Sequence, residues 1–209
     1  MIRVFSEGDA WLVWDCESVK SLREDYKIIG NPSLTAPNFP QQSKFLGLPL
    51  ELTPYECKWC FENGACELCK PKFKHFNTDI PNEMLDQNFR KASIRAENKD
   101  EYETEAVNPP DVDELKFRVF CELKSKGYWI TGAENYGCDF AVYLRPPWEC
   151  HADAFVWCSS ELLDTKRLIL KMRIAEATRK KLISATLQNN EIRFIQYQRY
   201  KNNNDDDIN

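Results

Sequence analysis

Tyr136-Gly-Cys-Asp-Phe-Ala-Val-Tyr-Leu-Arg-Pro-Pro-Trp-Glu-Cys-His151 reads as a strand running into a rigid loop. Phe140, Ala141, Val142 and Tyr143 form a short β-branched and aromatic run, preceded by a Gly-Cys-Asp turn signal and stopped by Pro146-Pro147. The two prolines fix φ and lack N–H donors, so the strand is predicted to end at Tyr143. Beyond them comes His151, one of two histidines in the chain, and then an apolar segment, Ala152 to Trp157. A phenol and an imidazole thus face one cleft from the two sides of a stiff loop.

A cation nearby would give that pair a chemistry, and Arg179-Lys180-Lys181 is the best candidate. Tyrosine, histidine and lysine converging on a phosphodiester suffice for cleavage of RNA without a metal. One group removes the 2′-hydroxyl proton, another protonates the departing 5′-oxygen, and a fixed cation stabilises the charge on the phosphorane. Taken singly, Tyr143 is an ordinary strand-end aromatic and Lys180 an ordinary surface charge.

Taken together, Gly137, Asp139-Phe140 and Val142-Tyr143, then His151-Ala152 and Arg179-Lys180, resemble the nuclease domain of the tRNA-splicing endonucleases. Nearer the amino terminus Leu12-Val13-Trp14, Glu17, Val19, Leu22-Arg23, Leu46 to Leu50, Pro54, Glu56, Glu62 and Gly64-Ala65 resemble the amino-terminal domain of the eukaryotic catalytic subunit that cuts the 3′ splice site. The resemblance implies an α+β chain: a small amino-terminal α/β domain, then a tRNA-intron endonuclease-like (restriction endonuclease-like) nuclease domain with a mixed central sheet. It further implies Tyr143 as general base on the 2′-hydroxyl, His151 as general acid and Lys180 as transition-state stabiliser. The products would be a 2′,3′-cyclic phosphate and a 5′-hydroxyl, with no cofactor or metal.

Histidine, with a reference pKa of ~6.5, suits its role. Tyrosine, at ~10, is a poor base without nearby positive charge, so the alternative that Tyr143 only positions the 2′-hydroxyl stays open. Arg173, Arg179 and Tyr200 match positions that hold flanking nucleotides, although family members often place Trp where Tyr200 stands, and Arg173 also reads as a helix-surface arginine. The implied partners are an intron-containing pre-tRNA, a second catalytic subunit and two structural subunits, in the nucleus. Structural members insert an acidic loop before the last strand into a catalytic partner. Here that loop, Gln188 to Glu191, is short with one carboxylate, which marks the receiver of such a loop.

Composition sets the outer bounds. The 209 residues, 43% hydrophobic with six Trp, fill one or two cores. No apolar run approaches the ~20 residues of a membrane span, and Glu7 and Asp9 spoil a signal-peptide layout, so an intracellular protein without membrane partners is expected. The net charge is −5, but residues 113–201 hold fifteen Lys+Arg against eleven Asp+Glu and residues 164–201 ten against three. A phosphate backbone would be held there.

Nine cysteines without a secretory layout argue for free thiols. Cys57, Cys60, Cys66 and Cys69 form two CxxC pairs, a pattern that suggests zinc. Only five residues separate the pairs, too few for the usual fold-back, and Thr53-Pro54 through Phe61 reads as a capped helix stopped at Gly64. Core packing is the favoured reading, since buried free Cys behaves as a small hydrophobe. The competing function is a non-catalytic RNA-binding or scaffold subunit in which these four thiols do hold zinc.

In chain order, residues 1–70 are predicted as a scaffold or docking domain with strands Ile2–Phe5 and Ala10–Trp14, a helix Glu17–Tyr26, extended chain Leu46–Leu52, the Cys-bearing helix and a strand Ala65–Cys69. Residues 71–112 read as a charged linker with a possible helix Asn82–Ala96, and its His75 as a surface histidine. Residues 113–201 form the nuclease domain: a helix Asp113–Lys126 with Leu115, Val119, Phe120 and Leu123 on one face, strands Tyr128–Thr131, Phe140–Tyr143 and Phe155–Cys158, and a helix Asp164–Lys171 with Ile169 and Leu170 inward. Thr178 begins either a second helix or the approach to a strand Leu182–Leu187. Asn189-Asn190 turns into a last strand, Ile192–Tyr200, with an edge free for pairing. Residues 202–209 are expected to be disordered.

Overall fold

The computed structural model describes residues 1–32, 48–71, 104–159 and 164–198, which divide into two compact units, Met1–Asp111 and Val112–Asn209. His75, the Asn82–Ala96 helix, Tyr200 and the 202–209 tail lie outside the described residues. Both units are α+β, and each is built on one mixed sheet.

In the first unit β1 (Ile2–Glu7), β2 (Ala10–Val13), α1 (Cys16–Glu24), β3 (Asn31–Pro32), β4 (Leu50–Leu52), α2 (Pro54–Glu62), β5 (Cys66–Pro71) and β6 (Thr104–Ala106) follow one another. The sheet order is β3-β4-β2-β1-β5-β6, with β1 and β5 parallel and the other neighbours antiparallel. β6 belongs to the stretch read as linker, yet it pairs with β5 through Cys69↔Ala106 and completes the sheet. Three residues carry too little pattern to announce a strand.

Glu56 organises this unit. Its carboxylate accepts Thr53 N and Thr53 Oγ1 (both 2.9 Å) in a reciprocal capping box at the start of α2. The other oxygen accepts the amides of Ile29 and Gly30 (both 3.1 Å), so one buried carboxylate ties a distant loop to the helix. Gly30 is required at that loop, because its φ is +59° and a Cβ would lie 2.6 Å from Leu50 Cγ.

Cys57, Cys60 and Cys66 pack in the core with Val4, Val13, Leu22 and Leu68. Successive strand residues point to opposite faces, so Cys66 and Leu68 face this core and Cys69 faces away, with its thiol hydrogen-bonded to Thr104. The four thiols therefore do not converge, and among the described residues no group of three or more His, Cys, Asp or Glu could hold a metal ion. Burial, with Cys66 and Glu56 beside it, pushes the Cys57 thiol up. The hydrogen bond to Cys66 and burial push Cys60 up as well. The same hydrogen bond lowers Cys66, so the two thiols act as a donor–acceptor pair inside the core.

The second unit comprises α3 (Glu114–Ser125), β7 (Trp129–Gly132), a 3₁₀ turn (Glu134–Tyr136), β8 (Phe140–Tyr143), β9 (Ala154–Cys158), α4 (Thr165–Ala177), β10 (Lys181–Gln188) and β11 (Glu191–Tyr197). Its sheet runs β11-β10-β9-β8-β7, antiparallel except for β9 and β10. Parallel neighbours need a crossover, and α4 is that crossover. Asp113 caps α3 by accepting Lys116 N (2.8 Å) and Asp164 caps α4 by accepting Lys166 N (2.6 Å).

Leu168, Met172 and Ala175 of α4 meet Phe155, Trp157 and Leu182 on one face of the sheet. Ile169 and Leu170, expected inward, are 45% and 58% exposed. The helical stripe that reaches the sheet is 168, 172, 175, and the apolar pair at 169–170 falls outside it. β10 and β11 are joined at Asn189-Asn190, whose φ values of +50° and +64° make a two-residue hairpin turn. Arg118 of α3 grips that turn, donating to Asn190 Oδ1 (2.8 Å) and Asn190 O (2.7 Å).

Candidate active site

Three adjacent strands place the site. The register aligns Val142 of β8 with Ala154 of β9, and Ala154 with Lys181 of β10. One residue beyond this rung, at the same end of the sheet, stand Tyr143, Asp153 and Lys180. Neighbouring strands lie ~4.8 Å apart, which puts the backbones of Tyr143 and Lys180 about 10 Å from each other.

Asp153 stitches the three chain segments together. Its amide donates to Val142 O (2.8 Å), its carboxylate accepts Leu144 N (3.0 Å), and its carbonyl accepts Lys181 N (3.1 Å). The loop 144–152 is closed at its base by these bonds, two residues past exposed His151. Inside the loop Pro146 O accepts the amides of Glu149 (2.9 Å) and Cys150 (3.3 Å), which folds Trp148 back edge-on against Trp129, ring centroids 5.2 Å apart. Trp129 is the cross-strand partner of Tyr143. The loop bearing His151 is thus pinned beside Tyr143 and again at Asp153.

Tyr143 is half-buried, and its ring rests against the α4 side of the sheet. Its hydroxyl meets Thr131 Oγ1 at 3.3 Å. Thr131 lies on the same strand face, diagonal to Tyr143, because Trp129 is opposite Tyr143 and Thr131 opposite Ala141.

Lys180 owes its place to the end of α4. Arg179 N donates to Glu176 O (3.0 Å) and Lys180 N to Ala175 O (2.7 Å), the paired bonds of a Schellman stop, with Arg179 at φ +57°. Thr178 is therefore the last helical cap, and the chain turns directly into β10. Lys180 is half-buried and Arg179 exposed. Arg173 is exposed on α4, and Tyr200 lies outside the described residues.

Asp139 lies at the opposite end of β8 from Tyr143 and holds the sheet there. Its carboxylate accepts Cys158 N (2.6 Å) and pairs with Lys116 Nζ (2.7 Å), joining β8 to β9 and to α3. Thr131, Trp148 and Asp153 escaped the sequence reading. Each becomes visible only with the strand register, which assigns Thr131 and Trp129 to Tyr143.

A five-stranded mixed sheet crossed by α4, with Tyr143, Lys180 and the loop of His151 at one end, follows in sequence a separate α+β unit, which makes this a chain of two α+β units. Residues 2–71 match the family description TSEN34-like, N-terminal domain, and residues 114–197 match tRNA intron endonuclease, catalytic C-terminal domain. The chain belongs to the tRNA-splicing endonuclease family.

Similar proteins include the probable tRNA-splicing endonuclease subunit sen34 of Schizosaccharomyces pombe, 43% identical over 54 residues, 26% of this chain and 19% of that protein. The tRNA-splicing endonuclease of Saccharolobus islandicus strain L.S.2.15 is 26% identical over 162 residues, 76% of this chain and 78% of its own. That of Sulfurisphaera tokodaii is 33% identical over 87 residues, 40% of this chain and 48% of its own. The match to the fission-yeast protein thus spans about a fifth of that relative's length.

Proposed function

We propose that this chain is the catalytic subunit that cleaves pre-tRNA at the 3′ splice site, in the nucleus, as part of an assembly with a second catalytic subunit and two structural subunits. The observation that carries the reading is the rung Val142–Ala154–Lys181, which gathers Tyr143, the His151 loop and Lys180 at one end of three neighbouring strands.

The reaction runs as an in-line displacement at phosphorus. Tyr143, as the phenolate left once its own proton has passed to solvent, takes the proton of the 2′-hydroxyl while the 2′-oxygen bonds to phosphorus. The bond from phosphorus to the 5′-oxygen breaks, and that oxygen receives a proton from His151. Lys180 faces the charge of the phosphorane. The products are a 2′,3′-cyclic phosphate and a 5′-hydroxyl. With solvent returning Tyr143 and His151 to their starting protonation states, the scheme balances without calling on a metal ion. Arg173, Arg179 and Tyr200 would hold the flanking nucleotides.

The two-residue turn between β10 and β11 supports a receiving rather than an inserting subunit, because it leaves no loop to reach into a partner. The match of residues 2–71 to the TSEN34-like domain supports the 3′ assignment. A zinc-bearing scaffold is the weaker reading, since Cys69 faces away from Cys57, Cys60 and Cys66.

The test is cleavage of an intron-containing pre-tRNA by the assembled complex, with native chain or His151→Ala. Loss of the 3′-junction cut alone, with 2′,3′-cyclic phosphate ends made by the native enzyme, is expected. Unchanged cutting at both junctions would remove the catalytic assignment.

A further inference from the structure

We propose that Thr131 is a positioning residue for the cleavage reaction: its hydroxyl fixes the orientation of the Tyr143 hydroxyl and donates to the phenolic oxygen when that oxygen must accept the 2′-hydroxyl proton. The inference rests on the role of Tyr143 given above.

Thr131 Oγ1 lies 3.3 Å from Tyr143 Oη and 3.3 Å from the carbonyl oxygen of Gly132. A threonine hydroxyl carries one proton and two lone pairs. With Tyr143 as a phenol, the hydroxyls align in one direction: the phenol donates to Thr131, and Thr131 donates to the Gly132 carbonyl. That leaves the lone pairs of the phenolic oxygen for the ribose hydroxyl.

With Tyr143 as a phenolate, the acceptor needs a donor instead. Rotation of Thr131 about its Cα–Cβ bond is hindered by β-branching, but its O–H bond turns freely and moves from the Gly132 carbonyl to the phenolate. Both contacts exceed the ~2.7–2.8 Å of a formed O–H···O bond. The contact to Tyr143 therefore has room to shorten once the ring oxygen is ionised.

The place of Thr131 is secured independently of this bond. It pairs with Ala141 in the antiparallel β7–β8 ladder, and Trp129, two residues earlier on the same face, lies opposite Tyr143. Valine suits a half-buried strand position as well as threonine, so Thr131→Val removes the hydroxyl while keeping shape and strand.

The experiment measures single-turnover cleavage at the 3′ junction by the assembled complex carrying native chain, Thr131→Val, Thr131→Ser, Tyr143→Phe or Thr131→Val with Tyr143→Phe. Thr131→Val is expected to slow the saturated rate about tenfold, the effect of one hydrogen bond, with the concentration for half-maximal rate unchanged. Thr131→Ser should recover most of the native rate, and Thr131→Val should add nothing to Tyr143→Phe. A native rate for Thr131→Val, failure of serine to rescue, or an equal loss in the Tyr143→Phe background would overturn the proposal. A native rate for Tyr143→Phe would instead overturn the role of Tyr143 itself.

Discussion

The carboxylate of Asp153 accepts the amide of Leu144 at 3.0 Å, across the nine residues that separate them in sequence. This bond closes the loop carrying His151 onto the end of the strand carrying Tyr143. The main-chain bonds of Asp153 to Val142 and Lys181 survive substitution by alanine or asparagine, whereas the bond to Leu144 depends on the side chain. Asp153→Ala should slow 3′-junction cleavage about tenfold by loosening the position of His151. Asp153→Asn keeps a carbonyl acceptor and should stay within a few-fold of native. Single-turnover rates of the two variants check this, and equal losses would show that charge rather than the loop bond matters.

Arg179 supplies a second test because it occupies a glycine position. Three helices end in paired Schellman bonds: α2 turns at Gly64 (φ +67°), α3 at Gly127 (φ +80°), and α4 at Arg179 (φ +57°). A side chain in this left-handed conformation costs about 1 kcal/mol relative to glycine. Arg179→Gly should therefore stabilise the second unit by about 1 kcal/mol, a rise in Tm of about 4–8 °C. It also removes a cation beside Lys180, so the salt dependence of pre-tRNA binding should weaken by about one ion. Thermal unfolding and a binding titration against salt separate the two effects.

The same residue explains where the sequence was readable and where it was not. Gly64 and Gly127 announce the ends of α2 and α3, and Asn189-Asn190 announces a hairpin, because each residue type suits its backbone conformation. Arg179 announces nothing, and the helix expected to end at Lys171 runs on to Ala177, where the bonds to Ala175 and Glu176 stop it. Ile169 and Leu170 misled for a different reason: the stripe that meets the sheet runs through Leu168, Met172 and Ala175, and the apolar pair falls outside it. Tyr143, His151 and Lys180 were legible as residue types at a spacing, but Thr131 and Asp153 required the register. The strand β6 depends on pairing with β5 from outside the local sequence, which no local pattern encodes.

Glu56 predicts a large effect far from the chemistry. Its carboxylate accepts four hydrogen bonds, from Thr53 N, Thr53 Oγ1, Ile29 N and Gly30 N, and is buried. Glu56→Ala leaves donors unsatisfied at the helix start and in the loop, and should destabilise the first unit by about 2–4 kcal/mol. Glu56→Gln retains one acceptor oxygen and should lose less. Urea unfolding of both variants measures the difference, and a loss below about 0.5 kcal/mol for alanine would mean that water replaces the carboxylate.

Two thiols, buried Cys57 and half-buried Cys158, give a pH dependence whose sign follows from their desolvation. Cys57 in the first unit and Cys158 in the second are both pushed up, chiefly by burial, so the folded chain holds these protons in alkali. In the unfolded chain a cysteine loses its proton near pH ~8.5. Below that pH both states keep the proton and the thiols add no slope. Above it the unfolded state binds fewer protons than the folded one, so stability falls as pH rises, by about 1.4 kcal/mol per pH unit for each such thiol until the folded value is reached. Denaturant unfolding at pH 7, 9 and 10 should show the decline. Cys57→Ala, although less stable throughout, should flatten it in the first unit, because one titrating thiol has gone. Iodoacetamide at pH 8 provides an independent check: exposed Cys16 should react while buried Cys57 stays protected until urea is added. Equal reactivity of the two in the folded chain would mean that Cys57 is neither buried nor held protonated, and the alkaline slope should then be missing as well.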